Sequence, residues 1–553
     1  MGVDQQQRLT AEDLAKKQRE ISVSEFFAKN RHLLGFDNPK KALMVAVKEA
    51  VDNSLDATQE AGILPEILVE LHQLKEDRYR VVVEDNGPGI VKEQLPKVFG
   101  KLLYGSKFHR LRQSRGQQGI GISAVLLYGQ LTTGKGMHVT SKTGPKANAN
   151  YYEIHIDTQK NEPVIRQDKT VEWKKEHGTR LEVELQGIYQ KGKQSVDEFI
   201  KEVALINPHA KIMYKAPGED TITFARGIEE LPKEAKEIKP HPHGVELGVL
   251  IRMLNSTATG TVASFLQTDF SRISPHIAQE ICDKAKISPR ARPGTIARDE
   301  AEALYAALQA NDKIIAPPTD CLSPLGEAAL IQGLKKEINA EFYAAVTRKP
   351  SVYRGMPFLI EVGIAYGGSL EKEEPIRVMR FANRVPLLYQ QGACASTEAI
   401  TDTTWRSYGL SQSKASLPVG PVLVVLHMAS VWVPFTSEAK EAIAHYDEIV
   451  QQMKLALQEA GRQVYSYIRK TVRAREQQER VSLFEKYIPE LANSLSVLTG
   501  EKKTELEEHL QKALKKGLKD LLAEVKESEQ VEIKGKHVAY GEKQETLEGA
   551  SDE

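Results

Sequence analysis

The sequence predicts an α+β protein of several domains: an α/β domain, a helical insert, a second α/β domain and a long helix. Three observations predict this order. β-branched strands before residue 230 give way to helix-patterned segments between 247 and 306. Alternating strands such as FLIEVGIAYGG and VGPVLVVLHMASVWV return after 307. Apolar residues then recur in steps of three and four after Pro434, which predicts a long helix capped by Ser437.

Length and composition limit the classes of protein. A chain of 553 residues has room for about three or four domains with separate cores. Lysine plus arginine equal aspartate plus glutamate at 75 each, so any contact with DNA must come from local basic patches. The three cysteines are far apart and form no C-x-x-C, which indicates neither zinc nor disulfides. No apolar run approaches the roughly 18 residues of a membrane span, so we expect a soluble, cytoplasmic protein.

The run KEAVDNSLDA at residues 48–57 carries the first chemical motif. Glu49 and Asn53 are four residues apart, so on a helix they share one face. A carboxylate in this arrangement can polarise a water, and a carboxamide oxygen can bind a hydrated divalent cation. Taken alone, such a pair is usually solvated surface.

Two glycine-rich turns follow this helix. In RVVVEDNGPGI (residues 80–90) Asp85 ends a β-branched strand before Gly87 and Gly89. In SRGQQGIGIS (residues 114–123) glycines precede an apolar helix, where backbone N–H groups can close on phosphate oxygens. The polar segment 91–113 between them is typical of a lid, and Ser106 and Lys107 are its candidate phosphate ligands. Lys107 can equally be a surface lysine.

Two basic elements are candidates for DNA contact. The loop GIYQKGKQSVDE (residues 187–198) contains Lys191 and Lys193, although a solvated turn is its default interpretation. Between two predicted helices of the insert lies a Pro/Gly turn, which fits a helix–two-turns–helix DNA-binding module. A purely structural insert remains an alternative. The basic residues of that turn are Lys284, Lys286, Arg290, Arg292 and Arg298.

The predicted domain bounds follow the changes in pattern. The first segment is either a frayed terminus with a short helix or an arm that crosses to a second copy of the chain. The Pro- and charge-rich stretch 232–246 reads as a linker. The bounds are 1–40 for the N-terminal arm and helix, 41–230 for the first α/β domain, 231–306 for the helical insert, 307–475 for the second α/β domain with its long helix, and 476–553 for a helical segment with an acidic tail.

The order of motifs resembles one superfamily. An acid-plus-amide helix, a strand with D-x-G-x-G and a G-x-x-G-x-G turn resemble the GHKL ATPases, whose α/β sandwich is the Bergerat fold. No P-loop occurs in the sequence. Beyond the ATPase, LYGSKFHRLRQSRGQQGIGIS, PPTDCLSPLGE, FANRVPLLYQQGACA and VWVPFTSEAKEAIA resemble the B subunits of topoisomerase VI, the type IIB DNA topoisomerases. The resemblance covers about residues 20–500, including a transducer domain with a stalk helix.

The resemblance implies ATP and Mg²⁺ as ligands. Glu49 matches the general base, Asn53 the magnesium ligand, and Asp85 the acceptor of the adenine amino group. Lys440 matches the lysine that reaches the γ-phosphate from the transducer, and Lys414 is its competitor. The remaining positions matched to nucleotide binding are Gly87, Gly89, Ser106, Lys107, Gly116, Gln117, Gln118, Gly119, Ile120, Gly121, Ile122, Ser123 and Thr179.

The resemblance also implies partners. These are an A subunit in a heterotetramer of two A and two B subunits, a second B subunit that dimerises through the ATPase domain on ATP binding, and double-stranded DNA. Trp405 and Arg406 match a family element near DNA, with arginine in place of lysine. No D-x-D cluster for strand cleavage occurs, which assigns cleavage to the A subunit. The alternatives are a mismatch-repair-type ATP clamp, expected to lack the basic insert, and a non-enzymatic DNA scaffold.

Overall fold

The computed structural model describes residues 11–15, 18, 20–106, 110–116, 119–437, 439–514 and 516. The chain divides into two compact units, Met1–Val464 and Tyr465–Glu553. The first unit contains two β-sheets and the helices packed on them. Among the described residues no helix is both long and apolar enough to cross a membrane.

The first sheet has the strand order β5-β4-β3-β6-β2-β1-β7-β8. Its neighbouring strands are antiparallel except for β1 and β7, which are parallel, so the sheet is mixed. Apolar and polar residues alternate along β1, so Ile67, Val69 and Leu71 are buried in the core. The strands are β1 Glu66–Lys75, β2 Arg78–Glu84, β3 Met137–Lys142, β4 Ala149–Asp157, β5 Glu162–Val171, β6 Gly178–Gln186, β7 Lys211–Lys215 and β8 Ile222–Phe224.

Helices α3, α5 and α6 pack on this sheet and on one another. α3 begins where Asn38 accepts a hydrogen bond from the Lys41 N–H at 2.8 Å, with Pro39 in the first turn. Leu43, Val47 and Leu55 of α3 are buried in the shared core. The helices of this part are α1 Ala11–Ala15, α2 Val23–Lys29, α3 Pro39–Glu60, α4 Leu95–Gly100, α5 Gly121–Thr133 and α6 Val196–Ile206, with a 3-10 helix at Arg31–Leu34.

The insert is helical, as predicted, and has its own hydrophobic core. That core runs from Val245 to Ile314, and its last helix ends at Gln309. Phe265 and Phe270 meet edge to face at its centre, with ring centroids 5.5 Å apart. The helices are α7 Leu247–Ser256, α8 Val262–Asp269, α9 Pro275–Ala285 and α10 Arg298–Gln309, with 3-10 helices at Pro242–Gly244 and Pro293–Thr295.

The second sheet has the order β10-β11-β14-β12-β13, with β9 paired to β11. β14 is buried along its whole length because residues on both of its faces are covered. Its strands are β9 Phe342–Thr347, β10 Ser351–Tyr353, β11 Met356–Tyr366, β12 Arg377–Ala382, β13 Val385–Pro386 and β14 Val422–Ser430. The helices are α11 Glu327–Glu337 and α12 Ala395–Asp402, with 3-10 helices at Gln391–Ala393 and Trp405–Tyr408.

α11 joins the second sheet to the first. It contacts α6 so closely that a Cβ added at Gly333 would lie 2.1 Å from the carbonyl oxygen of Leu205. Only glycine fits there without a shift of one helix.

The long helix α13 spans Asp447–Thr499, so the predicted start at Ser437 is wrong. The described residues 434–437 and 439–446 instead form a loop, in which the Thr436 N–H donates to the Ala442 carbonyl and the Ala444 N–H donates to the Pro434 carbonyl. An ion pair between Lys41 of α3 and Glu441 also holds this loop. The predicted seam is buried within the helix at Val450, Met453, Leu457, Ala460 and Val464. Residues 503–514 are helical again, and most of the predicted acidic tail lies outside the described residues.

Candidate active site

One face of α3 borders a cavity of about 560 Å³ in the first α/β part, which Ala439 and Lys440 of the loop before α13 also line. Glu49 and Asn53 both line it, as their spacing on the helix predicts. Asp85, just beyond the end of β2, and Thr179, at the start of β6, also line the cavity. The cavity therefore contains an acid and an amide from α3 and a second acid from the residue after β2.

Asp85 is buried and fixed by three donors. Its Oδ1 accepts from the Gly87 N–H at 2.9 Å and from the Thr179 N–H at 3.0 Å, while Oδ2 accepts from the Ser54 hydroxyl at 2.8 Å. Burial raises the pKa of this carboxyl, and the three hydrogen bonds partly offset that rise. Oδ2 has capacity for a further donor because a carboxylate oxygen can accept more than one hydrogen bond.

Glu49 lies beside a buried cation. The Lys48 Nζ is 2.9 Å from Glu49 Oε1 and 3.4 Å from Asp52 Oδ2. Burial would raise the pKa of Glu49, but the charges of Lys48 and Lys440 outweigh it and lower that pKa. Asp52 differs, since burial raises its pKa to about 6. At neutral pH the Glu49 carboxylate is therefore the stronger candidate for an ionised base.

The glycine-rich turn places the start of α5 against Glu49. A Cβ added at Gly121 would lie 1.8 Å from Glu49 Oε2, so any larger residue here would displace the Glu49 carboxylate. α5 has no side-chain cap at Ile120. The first N–H groups of a helix have no partners within it and suit an anion. The turn can therefore bind phosphate oxygens close to the base.

Arg115 anchors the beginning of that turn. Its guanidinium donates to Asp56 Oδ1 at 2.9 Å, to Gln59 Oε1 at 2.7 Å and to Asn207 Oδ1 at 2.6 Å. Asp56 and Gln59 belong to α3, and Asn207 follows α6. The turn thus sits on the same helix that carries the base.

Lys440 reaches the cavity from the loop before α13. Its backbone has a φ of 55°, and its Nζ donates to the carbonyl oxygen of Arg115 at 3.2 Å. Burial lowers its pKa, although the charge of Glu49 acts in the opposite direction. Lys414 is exposed and is not among the described residues that line the cavity. The geometry favours Lys440 as the cation that meets a bound phosphate.

Comparisons with known proteins place these elements in a family. The family described as histidine kinase-, DNA gyrase B-, and HSP90-like ATPase matches residues 38–186, and that described as topoisomerase VI B subunit, transducer, matches residues 317–480. The B subunit of type 2 DNA topoisomerase 6 from Methanococcoides burtonii is 50% identical over 487 residues, covering 88% of this chain and 78% of that protein. The chain belongs to the family of type 2 DNA topoisomerase 6 B subunits.

Other relatives agree with this membership. The topoisomerase 6 B subunit of Methanosarcina acetivorans is 51% identical and covers 87% of this chain and 78% of that protein. The topoisomerase 6 B subunit of Archaeoglobus fulgidus is 48% identical, and the match covers 87% of this chain and 80% of that protein. The resemblance identified in the sequence is confirmed, as is the α+β multidomain fold with an ATPase of the gyrase type.

The structure of this topoisomerase 6 B-family chain brings most of the predicted nucleotide ligands together. Gly87 lies next to the cavity and donates to Asp85. Ser123 is buried inside α5, and its hydroxyl donates to the Ile120 carbonyl at 3.0 Å, so its side chain is not one that lines the cavity. Lys107, Gln117 and Gln118 lie outside the described residues. The predicted residues that line the cavity are Glu49, Asn53, Asp85, Gly89, Ser106, Gly116, Gly119, Ile120, Gly121, Ile122, Thr179 and Lys440.

The residues predicted to contact DNA come from three separate segments, before α6, around the turn between α9 and α10, and after α12. Lys191 pairs with Glu219, and Lys193 is exposed. In the insert, Lys284 pairs with Glu280 at 3.1 Å, while Arg290 and Arg292 are exposed in the turn between α9 and α10.

Trp405 corrects one expectation. Its side chain is only 1% exposed and its indole N–H donates to the Ile400 carbonyl at 2.8 Å, so it is a core residue rather than a DNA contact. Arg406 next to it is exposed, and its Nε donates to the Gln412 carbonyl at 2.7 Å. Of this pair, only Arg406 is accessible to a phosphate backbone.

Sequence reasoning missed Lys48, Asp52 and Arg115. Lys48, Asp52 and Asp56 are four residues apart in α3 and are all buried. The spacing of Lys48, Asp52 and Asp56 was a usable signal. Charged residues four apart in an otherwise apolar helix indicate a polar face that is paired inside the protein rather than exposed to solvent. Arg115 gave no such signal, since its partners come from α3 and from the end of α6.

Proposed function

We propose that this chain hydrolyses ATP with Glu49 as the general base, and that turnover drives DNA strand passage by a type IIB topoisomerase complex. One observation carries the proposal. The Glu49 carboxylate, the Lys440 ammonium and the start of α5 face one cavity, with Asp85 lining it as well. This is the set of groups that a triphosphate with an attached amine-bearing base would require.

The cavity fits adenine at Asp85. With Oδ1 held by two backbone donors, Oδ2 accepts the exocyclic amine while Ser54 fixes the carboxylate. Guanine presents a carbonyl oxygen at the corresponding position, which would face an acceptor. The site therefore selects adenine over guanine.

Asn53 fits a magnesium ligand. Mg²⁺ keeps several waters and takes few protein oxygens beside substrate phosphates, so a single exposed amide in the cavity suffices. When bound, the ion would offset the negative charge of the phosphates. The amide oxygen of Asn53, one turn above Glu49, would orient that ion toward the phosphates.

Glu49 takes the proton of the attacking water. The lowered pKa keeps it a carboxylate at neutral pH, because Lys48 and Lys440 stabilise its charge. Lys440 approaches from the transducer side and stabilises negative charge on the γ-phosphate, which makes it a sensor of that group. Positioning and electrostatics supply most of the rate in such transfers.

ATP hydrolysis and DNA cleavage belong to different subunits of the complex. Two copies of this chain dimerise through the ATPase domain when ATP binds, and two A subunits complete a heterotetramer in the cytoplasm. Duplex DNA contacts the exposed basic turn of the insert and the loop with Lys191 and Lys193. The A subunits cut the DNA, since a metal-dependent cleavage site of the D-x-D type is absent from this sequence.

A plasmid relaxation assay tests the proposal. This chain with the A subunit relaxes supercoiled DNA only with ATP and Mg²⁺, and neither protein does so alone. Glu49→Gln keeps nucleotide binding but loses about 10²–10⁴-fold in hydrolysis. Lys440→Ala keeps binding and loses relaxation, whereas the matched control Lys414→Ala keeps both.

Three outcomes would contradict it. Hydrolysis by Glu49→Gln within a few-fold of the unmodified protein removes the base assignment. Relaxation by Lys440→Ala with loss in Lys414→Ala moves the sensor to Lys414. ATP-driven dimerisation without relaxation after addition of the A subunit would instead support a mismatch-repair-type clamp.

A further inference from the structure

A second cavity, of about 460 Å³, lies behind the Arg115 turn. The end of α3 and residues 112–115 form one wall, and Ser323, Asn383 and Arg384 of the second α/β part form another. The segment 231–235 closes a third side. The cavity therefore lies at a junction between structural parts, where ligand sites are frequent.

Arg384 brings a charge into this junction. It occupies the two-residue turn between β12 and β13, with φ values of 48° for Asn383 and 64° for Arg384. Hairpins of this kind usually place glycine or asparagine where φ is positive, so an arginine backbone is strained there. Arg384 therefore occupies a backbone conformation that arginine rarely adopts.

The guanidinium of Arg384 is buried without a carboxylate bonded to it. It donates to the carbonyl oxygen and the hydroxyl of Ser323, each at 2.7 Å. Among the described residues it forms no ion pair, and its Nε has no hydrogen-bond partner. A buried charge is expensive unless an opposite charge accompanies it. The carboxylates of Glu361 and Asp56 act on Arg384 electrostatically, but within the described part of the chain its side-chain hydrogen bonds go only to Ser323 and Pro324, so the guanidinium can still bind an anion directly.

Neighbouring groups indicate the same positive field. Burial, and then the charge of Arg115, lower the pKa of Arg384 to about 9, although the charges of Glu361 and Asp56 act in the opposite direction. Burial followed by the charges of Arg384, Arg115 and Arg226 lowers the pKa of His209 to about 2. Of the carboxylates that line the cavity, Asp56 pairs with Arg115 and Glu60 with Arg112, while Glu234 is exposed at the margin.

We propose that this second cavity binds a phosphate-sized dianion between Arg115 and Arg384. Planar guanidinium groups bind tetrahedral oxyanions through paired N–H donors. The cavity offers no aromatic side chain for a base among its described lining residues, so the ligand is an inorganic oxyanion rather than a nucleotide. The proposal does not depend on hydrolysis at Glu49.

A bound dianion would join two structural parts. Arg115 anchors the glycine-rich turn of the first cavity. Asn383, which precedes Arg384 in the turn between β12 and β13, donates to the Ser114 carbonyl at 2.9 Å and to the Ser430 carbonyl at 2.9 Å. An anion between Arg115 and Arg384 therefore adds a charged bridge beside an existing hydrogen bond. It would stabilise the present arrangement of the turn against the second sheet.

Equilibrium dialysis of the full chain with radiolabelled inorganic phosphate tests the site. The unmodified protein binds phosphate, and Arg384→Gln binds it about tenfold more weakly or worse. Arg166→Gln, which removes an exposed arginine from edge strand β5, is the matched control and binds normally. Lys440→Gln removes the cation of the first cavity and its hydrogen bond to the Arg115 carbonyl, but it leaves both guanidinium groups of the second cavity and therefore keeps phosphate binding.

Lys233→Gln covers the case in which Arg384→Gln fails to fold. Lys233 is exposed at the margin of the cavity, so its loss weakens binding a few-fold without touching the core. Thermal unfolding of each variant establishes that it is folded. Absence of phosphate binding by the unmodified protein overturns the proposal. So does binding that Lys440→Gln removes while Arg384→Gln and Lys233→Gln leave it unchanged.

Discussion

Replacing Asp85 by asparagine tests the adenine pocket most directly. Asparagine can keep both backbone donors on its Oδ1 if its amide nitrogen takes the place of Oδ2. The Ser54 hydroxyl, 2.8 Å away, can then rotate and accept instead of donate. The fold should therefore tolerate Asp85→Asn, while the incoming adenine amine meets a second donor.

The magnitude follows from the bond that is lost. A hydrogen bond to a charged acceptor contributes about 1.5–3 kcal/mol, which is about 10- to 150-fold in Kd. ATP and ADP should lose affinity by the same factor, since they share the adenine. GTP should lose less or gain, because its carbonyl oxygen can accept from the new amide. The preference for ATP over GTP should therefore fall, and it should fall by more than the affinity for ATP if GTP gains affinity.

Isothermal titration with ADP and with non-hydrolysable ATP and GTP analogues measures these changes, and thermal unfolding checks that the variant is folded. Asp77→Asn is the matched control, because Asp77 is exposed and lies at the opposite end of β2. Affinity for ATP within twofold of the unmodified protein would refute the reasoning. Equal losses for ATP and GTP in a folded variant would place adenine elsewhere.

Three further predictions concern charge. Lys48→Met should move the acid limb of the ATPase pH profile to higher pH, because Glu49 is active as a carboxylate and Lys48 lowers its pKa. The control Lys48→Arg keeps the charge and should leave the limb in place. An unmoved limb in Lys48→Met would contradict the pairing of Lys48 with Glu49. Between about pH 7 and pH 5 the protein should lose about 2 kcal/mol of unfolding free energy through His209, which stays neutral when folded but protonates near 6.5 when unfolded. Urea unfolding should show this loss reduced in His209→Gln, and an equal loss in that variant contradicts it. Glutamine should replace the basic residues of the insert turn together, namely Lys284, Arg290 and Arg292. The slope of log affinity for DNA against log salt concentration should then fall by about one unit per lost phosphate contact, and an unchanged slope would make the insert purely structural.

The parts of the site that the sequence predicted are local. Glu49 and Asn53 share a helix, so their spacing alone fixes a common face. Asp85 follows a strand with clear β-branched character, and the glycines after residue 115 precede an apolar helix. Such relations need only the periodicity of one element, and the fold class followed from the same periodicities.

The parts that failed depend on contacts distant in sequence. Ser437 looked like a helix cap, but Lys41 holds Glu441 in a loop, and the helix begins only at Asp447. Trp405 was expected near DNA from the resemblance, but its indole is buried and its N–H donates to the Ile400 carbonyl. Arg384 gave no signal at all, because its surroundings come from three separate segments. Periodicity carries no information about which distant residue fills a given space.

The close contact at Gly333 has a mechanical consequence. With the backbone of α6 directly against it, α11 has no room to move closer to that helix at Gly333. A larger residue at this position would push the two helices apart and so widen the spacing between the first and second sheets. The cavities that take Lys440 and Arg384 from the second α/β part would then change shape through a residue that lines neither of them.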